Sequence, residues 1–147
     1  GKVCLSILGT WAGPKWRPVM NLKLVLLSIQ SLLGEYPIQN EPGFDQVKPD
    51  NELSINYSNY IIFHTYRIAI LNVLEKKFKK FSKYFKKEIK EKFNKNFEQL
   101  NNDLLSYCIS IGKYSFPREI YFLKEKNTID FNKILEKFKK VKEKINK

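Results

Sequence analysis

The sequence predicts a mostly α-helical chain with about four helices. Apolar residues recur every three or four positions in four separate segments, which is the spacing of one face of an α-helix. No segment of typical strand length alternates cleanly between apolar and polar residues, and only Ile120–Leu123 is ambiguous. With 147 residues, of which 43% are hydrophobic and 29% charged, the chain is large enough for one packed domain. This composition excludes a disordered or low-complexity chain.

The first predicted helix runs from about Asn21 to about Gly34, after a stretch of irregular backbone rich in Trp, Gly and Pro. Asn21 can cap its first turn, and Gly34 followed by Pro37 ends it. The apolar residues cover more than half of the circumference, so we expect the helix to be largely buried. These residues are Leu22, Leu24, Val25, Leu26, Leu27, Ile29, Leu32 and Leu33.

Three more helices are predicted after a proline-rich loop over residues 35–55. One runs from about Asn56 to Lys77, and a lysine-rich helix follows from Phe78 to about Tyr107. Ser115–Pro117 is expected to form a bend, and Asp130 can cap the last helix. The last helix carries an apolar stripe of Ile134, Leu135, Phe138, Val141 and Ile145.

The net charge of +12 is concentrated in the lysine-rich segment. Residues 76–97 carry ten lysines and two glutamates, whereas residues 1–75 are neutral. A basic segment can bind nucleic acid, anionic lipid or an acidic protein through nonspecific electrostatics. However, 24 of the 27 basic residues are Lys, and bidentate recognition of phosphate or guanine favours Arg. The charge alone therefore does not select a partner, and no specific nucleic-acid partner is expected.

Other classes of protein are disfavoured by the sequence. No apolar run approaches the ~20 residues that span a bilayer, so we expect no membrane span. Two cysteines far apart make neither a disulfide framework nor a zinc site, and we expect no metal and no cofactor. The start lacks the pattern of a signal peptide, which favours the cytoplasm, the nucleus or both. The chain does not begin with Met, so we expect a piece of a longer protein.

Cys4 is the candidate reactive residue, because a thiol in irregular backbone before a helix can be exposed and nucleophilic. The alternative is that it packs in the core, since free cysteines are often buried. His64 lies on the apolar side of its helix and Cys108 lies among apolar neighbours, so both are interpreted as packing residues. Glu41 and Asp45 have no metal-ligand spacing and no expected catalytic role.

Four stretches around and after Cys4 resemble one known family. Gly1-Lys-Val-Cys-Leu-Ser-Ile-Leu-Gly-Thr-Trp11 is similar to the active-site segment of ubiquitin-conjugating enzymes. Trp16-Arg-Pro18, Val25–Leu33 and Asn40-Glu-Pro-Gly-Phe44 look like the matching run in that family, most nearly its large Z type. The similarity is moderate over Tyr57–Glu75, and the rest of the chain matches mainly in pattern.

This resemblance implies a fold, a division of the chain and a site residue. The parent protein would have an α+β ubiquitin-conjugating fold, of which residues 1–77 form the C-terminal part. Residues 78–147 would be a Lys-rich helical extension. The N-terminal helix, the four-stranded antiparallel sheet and a His-Pro-Asn motif with the oxyanion donor are expected upstream of Gly1. Carried over by position, Cys4 is the residue that holds the modifier as a thioester, and the Asn40–Phe44 loop is a wall of the cleft.

The implied function is that of a transferase in the ubiquitin-conjugation pathway. Cys4 would accept ubiquitin, or a ubiquitin-like modifier, from an activating enzyme and pass it to a substrate lysine, with ligases as further partners. Residues 1–147 alone are expected to charge inefficiently, because the sheet under the first helix and the oxyanion donor are outside them. Two alternatives remain: a helical module that binds an acidic partner, nucleic acid or anionic membrane, and a catalytically dead relative.

Overall fold

The computed structural model describes residues 3–75, 83–115 and 128–146, and these are mostly helical. The chain divides into two compact units, Gly1–Ile55 and Asn56–Lys147. The predicted division at residue 77 concerns membership of a catalytic domain, and it stays a prediction. The elements are α1 Leu22–Ser31, α2 Glu52–His64 continued by a π-helix Thr65–Asn72, α3 Lys86–Ser110, β1 Lys113–Ser115, β2 Thr128–Asp130 and α4 Phe131–Asn146.

The first helix forms where the sequence predicts it, but its burial is not as expected. The Asn21 side chain caps α1 by accepting a hydrogen bond from the Leu24 backbone N–H at 3.3 Å. Within the described residues, however, no side chain of α1 is buried, and Leu22 is 70% exposed. The prediction of a largely buried helix is therefore wrong for this chain. Its apolar side has no complete cover among the described residues.

The second helix starts four residues before the predicted position. The Asn51 side chain accepts a hydrogen bond from the Leu53 N–H at 2.9 Å, and the helix begins at Glu52. From Thr65 the helix continues with π-type bonding to Asn72. Asn51 caps this helix. The sequence predicts a loop at this position because prolines precede it. Residues 76 and 77, where the helix was predicted to end, lie outside the described residues.

The lysine-rich helix is confirmed over its greater part. α3 begins after Phe85, whose backbone is non-helical, and runs to Ser110. Gly112, just beyond the last helical residue, stops the helix: it has a φ of 60° and donates its N–H to the Tyr107 carbonyl at 3.1 Å. A left-handed residue of this kind is the usual helix stop, and glycine adopts it without strain. The predicted start at Phe78 lies outside the described residues.

A short antiparallel hairpin, which the sequence did not predict, connects α3 to α4. Lys113 pairs with Asp130, Tyr114 with Ile129 and Ser115 with Thr128. Each strand has only three residues, which is too short for the alternation that identifies a strand in a sequence. The ambiguous Ile120–Leu123 segment and the bend at residues 116–117 lie outside the described residues.

The core of the second unit is built on α4. The Asp130 carboxylate caps this helix by accepting from the Lys133 N–H at 3.2 Å, as predicted. Phe131 and Phe138 are fully buried, and Ile134 and Val141 nearly so, which confirms the apolar stripe. These side chains meet the apolar faces of α3 and of the π-helix. Because aromatic rings dominate the contacts, this unit is held by large apolar area and ring geometry together.

Candidate functional site

Cys4 lies at the start of a tight turn that its neighbours hold in place. Its thiol is reduced and its side chain is partly buried, while Leu5 is 7% exposed and anchors the segment. A 3₁₀ turn follows at Ser6–Leu8, in which the Leu8 N–H donates to the Leu5 carbonyl at 3.1 Å. Gly9 ends the turn with a φ of 68°. The thiol therefore lies on a short, internally bonded segment rather than inside a core.

Thr10 fixes the backbone next to the thiol, and sequence reasoning missed it. Its hydroxyl accepts a hydrogen bond from the Leu5 N–H at 2.9 Å and donates to the Leu5 carbonyl at 3.2 Å. The Thr10 N–H also donates to that carbonyl at 3.2 Å. The N–H and the carbonyl of Leu5, the residue after Cys4, are thus both hydrogen-bonded to Thr10. A single threonine that closes a loop leaves no periodic signal in the sequence, so no pattern could have identified it.

Ser6 packs closely against the backbone of Gly13. The φ of Gly13 is 129°, and a Cβ atom there would lie only 3.0 Å from Ser6 Cβ. A side chain at this position would be strained both by its backbone conformation and by this contact. The contact between Ser6 and Gly13 therefore helps to fix the backbone of the segment that follows Cys4.

An open groove of about 430 Å³ lies immediately beyond the turn. It is lined by Ile7, Leu8, Gly9, Lys15 and Trp16. Leu8 and Trp16 are each 47% exposed, so apolar surface in the groove remains accessible. Trp11 is similarly exposed but does not line the groove. Of the two tryptophans in this segment, Trp16 is therefore the one that lines the recess.

The Asn40–Phe44 loop is ordered by its contacts with neighbouring backbone. The Asn40 amide donates to the Leu32 carbonyl near the end of α1 at 3.0 Å, and Ile38 is fully buried beside it. Gly43 has a φ of 82° and allows the turn that returns the Phe44 N–H to the Glu41 carbonyl at 3.1 Å. The predicted role of this loop as a wall of the cleft stays a prediction.

His64 and Cys108 have packing contacts, as the sequence indicates. The His64 Nδ1 accepts a hydrogen bond from Arg67 Nε at 3.0 Å, and its ring lies 4.1 Å from the Tyr60 ring. Burial raises the pKa of the Cys108 thiol, and the Asp130 carboxylate raises it further, against a smaller opposite effect of Lys139. A raised pKa lowers the thiolate fraction at neutral pH, so Cys108 is a poor nucleophile.

Neither a metal-binding cluster nor a membrane-spanning helix is present in the described part of the chain. Over residues 3–75, 83–115 and 128–146, no three His, Cys, Asp or Glu side chains converge to hold a metal ion. None of the helices in those ranges combines the length and the apolar character that a bilayer span requires.

The comparisons with known proteins concern the N-terminal part of the chain. Residues 1–59 match the family model for ubiquitin-conjugating enzymes. The ubiquitin-conjugating enzyme E2 Z of Xenopus tropicalis is 53% identical over 77 residues, which cover 52% of this chain and 24% of that protein. Human E2 Z is 51% identical over 77 residues, or 52% of this chain and 22% of the relative. The probable ubiquitin-conjugating enzyme protein 17 of Caenorhabditis elegans is 40% identical over 96 residues, which cover 60% of this chain and 13% of that protein.

The matched region thus spans about a quarter or less of the length of these relatives. It includes Cys4, the turn after it, the groove and α1. The match to the family model indicates part of a ubiquitin-conjugating fold for residues 1–59. The resemblance found in the sequence is confirmed: residues 1–59 match the model of the ubiquitin-conjugating enzyme family, and relatives of the Z type are 51–53% identical to about half of this chain.

Proposed function

We propose that this chain carries the acceptor cysteine of a ubiquitin-conjugating enzyme, and that Cys4 is that residue. The observation that carries the proposal is the family match across residues 1–59, together with a reduced, partly accessible thiol at the start of a pinned turn. Such a thiol can meet a large incoming partner, whereas a thiol sealed in a core cannot. Pinning of Leu5 by Thr10 holds the Cys4 backbone in one orientation, which acyl transfer requires.

The first step is the exchange of one thioester for another. The Cys4 thiolate attacks the thioester carbonyl of the modifier carried by an activating enzyme, a new C–S bond forms, and the activating enzyme's thiolate leaves. This exchange needs no resident general base, since it consumes one thiolate and releases another. His64 is not required for it, in agreement with its packing contacts.

The second step transfers the acyl group to an amine. A substrate lysine in its neutral form attacks the carbonyl, a C–N bond forms, the C–S bond breaks, and the amine proton passes to solvent as the Cys4 thiolate leaves. The developing oxyanion needs a hydrogen-bond donor. The Leu5 N–H is already donated to Thr10, so it does not serve this purpose. We therefore expect the donor to come from the asparagine that the family resemblance predicts upstream of Gly1.

Activity of the chain by itself is expected to be weak. The exposed apolar face of α1 needs a covering layer, and the donor for the oxyanion is expected in preceding sequence. We propose that the whole protein works with ubiquitin or a related modifier, an activating enzyme, ligases and substrates, in the cytoplasm, the nucleus or both. The alternative of a basic binding module gains little from α3, where five lysines are accompanied by four acidic residues.

The test is to charge the whole protein with ubiquitin, activating enzyme and ATP. We expect an adduct that dithiothreitol cleaves and that Cys4→Ala abolishes. Cys4→Ser should trap the modifier as an oxygen ester that resists dithiothreitol. Cys108→Ala is the matched control, because it removes the other thiol of the described residues and should leave charging unchanged. An adduct that persists in Cys4→Ala, or is lost in Cys108→Ala, would refute the assignment.

A further inference from the structure

The two long helices of the second unit, α3 and α4, run antiparallel. The ring of Phe138, in the middle of α4, lies 5.4 Å from the ring of Phe93 in the first third of α3. The ring of Phe131, at the start of α4, stacks on Tyr107 near the end of α3, also at 5.4 Å. The last turns of α4 therefore lie beside the first turns of α3, and the hairpin joins the helices at the opposite end.

Positive charge is concentrated at the end where α3 begins and α4 finishes. Residues 83–95 and 139–144, which we call the basic end, carry ten lysines and three glutamates, a net charge of +7. Residues 98–115 and 128–137, at the hairpin end, carry three lysines and four acidic residues, a net charge of −1. The charges of α3 nearly balance over its whole length, but all of its lysines precede Glu98. The second unit is therefore electrically polarised along its helices.

The lysines of the basic end are accessible to a partner. All of them except Lys142 are exposed. Lys142 is used by the fold itself, because its ammonium donates a hydrogen bond to Asn94 Oδ1 at 2.8 Å and covers the Phe97 ring at 4.5 Å. Lys87 pairs only loosely with Glu91, at 3.9 Å between two exposed side chains. An exposed pair of this kind contributes little, so it does not withdraw the lysine from other anions.

Two aromatic side chains are exposed among these lysines. Tyr84 is 76% exposed and Phe85 is 48% exposed, with Lys83 just before them and Lys86 just after them. Aromatic side chains within a basic surface are typical of proteins that lie in the headgroup region of a bilayer. The rings reach the boundary of the acyl chains, while each lysine keeps its ammonium among the headgroups and lays its apolar stem along them.

The type of cation favours a lipid surface over a nucleic acid. Every cation of the basic end is Lys, and none is Arg. Arg pairs bidentately with phosphate and guanine and stacks on aromatic rings, whereas Lys acts as a compact point charge. Attraction to an anionic leaflet needs only charge density, and each lysine near the surface strengthens binding roughly fivefold. Lipids also rearrange around fixed lysines, whereas an acidic protein would need its carboxylates placed to match them.

We propose that the basic end is a peripheral membrane-binding surface for bilayers that contain anionic lipids. Its lysines lie among the headgroups, and Tyr84 and Phe85 enter the interface between headgroups and acyl chains. The proposal concerns the second unit and goes beyond the chemistry proposed for Cys4. It adds a second role to the chain, that of holding the protein at a membrane surface.

The test measures binding of the whole protein to lipid vesicles by co-sedimentation. One set of vesicles contains phosphatidylcholine alone, and the other contains about one-third phosphatidylserine as the source of negative surface potential. We expect binding to the anionic vesicles and little binding to the neutral ones. Binding to the anionic vesicles should weaken as salt is added, because salt screens the attraction between the lysines and the surface.

Two double variants remove equal charge from the two ends of the helix pair. Lys90→Gln with Lys140→Gln, at the basic end, should weaken binding to the anionic vesicles roughly 30-fold. Lys113→Gln with Lys133→Gln, at the hairpin end, is the matched control. It should weaken binding less than about threefold, because the ends are about 30 Å apart and salt screens charge over that distance. Tyr84→Ala should weaken binding severalfold and leave the salt dependence unchanged, since it removes no charge.

The fold of each variant is checked by its melting temperature, which should stay at the wild-type value because every substituted side chain is exposed. Equal binding to neutral and anionic vesicles would overturn the proposal. An equal loss of binding in the two double variants would also overturn it, because net charge alone would then explain the attraction. Displacement of most of the protein from the vesicles by a single-stranded oligonucleotide or by polyglutamate, at equal concentration of charge, would assign the basic end to a nucleic acid or to an acidic protein instead.

Discussion

Phe138 lies in the aromatic core of the second unit. Its side chain is fully buried and contacts three other rings. It stacks on Phe97 at 5.3 Å with the ring planes 6° apart, and it meets the edges of Phe93 at 5.4 Å and Tyr66 at 6.0 Å. Lys142 covers the Phe97 ring with its ammonium 4.5 Å from the centroid. Removing Phe138 therefore leaves a cavity and breaks a set of aromatic contacts at once.

Phe138→Ala should lower the free energy of unfolding by about 3–5 kcal/mol, the usual cost for a buried phenylalanine. In a unit of this size, a loss of 1 kcal/mol lowers the melting temperature by roughly 4–8 °C, so the decrease should be at least about 12 °C. The assay is urea and thermal unfolding of the 147-residue chain followed by far-ultraviolet circular dichroism. These helices supply most of that signal, because α3 and α4 are the longest in the described chain.

Two companion variants keep this prediction testable if Phe138→Ala does not fold. Phe138→Leu retains most of the volume and loses only the ring contacts, so it should cost about 1–1.5 kcal/mol. Ile109→Ala on α3 is the surface control, since this side chain is 88% exposed and should change stability by less than about 0.5 kcal/mol. A loss below about 1 kcal/mol in Phe138→Ala would show that this side chain does not form the core.

Three further perturbations test local features. Burial raises the pKa of Tyr66 above its ordinary value of 10.0, with Asp103 and Tyr107 as smaller causes. The unfolded chain therefore releases this proton first, and the free energy of unfolding should fall as pH rises above about 10. At neutral pH, Tyr66→Phe should be about 1 kcal/mol less stable than the wild type. This difference in unfolding free energy should narrow in alkali. Asp130→Ala should cost about 1 kcal/mol in urea unfolding through loss of the α4 cap, whereas Asp130→Asn should cost little because Asn also caps. Gly13→Ala places a side chain at a strained position, so it should lower the initial rate at which Cys4 is charged. Gly34→Ala is the control: its Cβ would meet nothing within 4 Å, and the rate of charging should not change.

The features that local sequence determines were predicted well. Asn21 and Asp130 cap their helices because a short acceptor side chain can reach a backbone N–H three residues ahead without help from distant residues. The stripe of α4 was likewise visible, since its burial follows the helical period. Asn51 was overlooked because the prolines that precede it, the nearest being Pro49, made this stretch look like loop and obscured a cap of the same kind.

The features that depend on distant contacts were not predictable. Ser115 and Thr128 join their hydroxyls at 2.9 Å across the hairpin, although they are 13 residues apart in the chain. The exposure of α1 is a case of the same kind, because an apolar face is buried only if another layer covers it. The sequence shows which face of α1 is apolar, but it does not show which other element packs against that face. For the same reason, the resemblance suggested Cys4 as a candidate but gave no sign of the Thr10 hydroxyl that orients the backbone beside it.

The region that carries the family sequence and the region that carries the core are largely different. In residues 3–55, the buried side chains are Leu5, Ile38 and Ser54, while most buried aromatic and aliphatic residues lie beyond them. The stability of the second unit should thus depend on ring packing around α4. The chemistry proposed for Cys4 should instead depend on the turn that follows it, which is held by few hydrogen bonds. A turn with so little core of its own needs other support to hold a thiol in place. The Thr10 hydroxyl and the Gly13–Ser6 contact supply part of that support, so charging of Cys4 should be more sensitive to these two positions than to any substitution on the outer faces of α3 and α4.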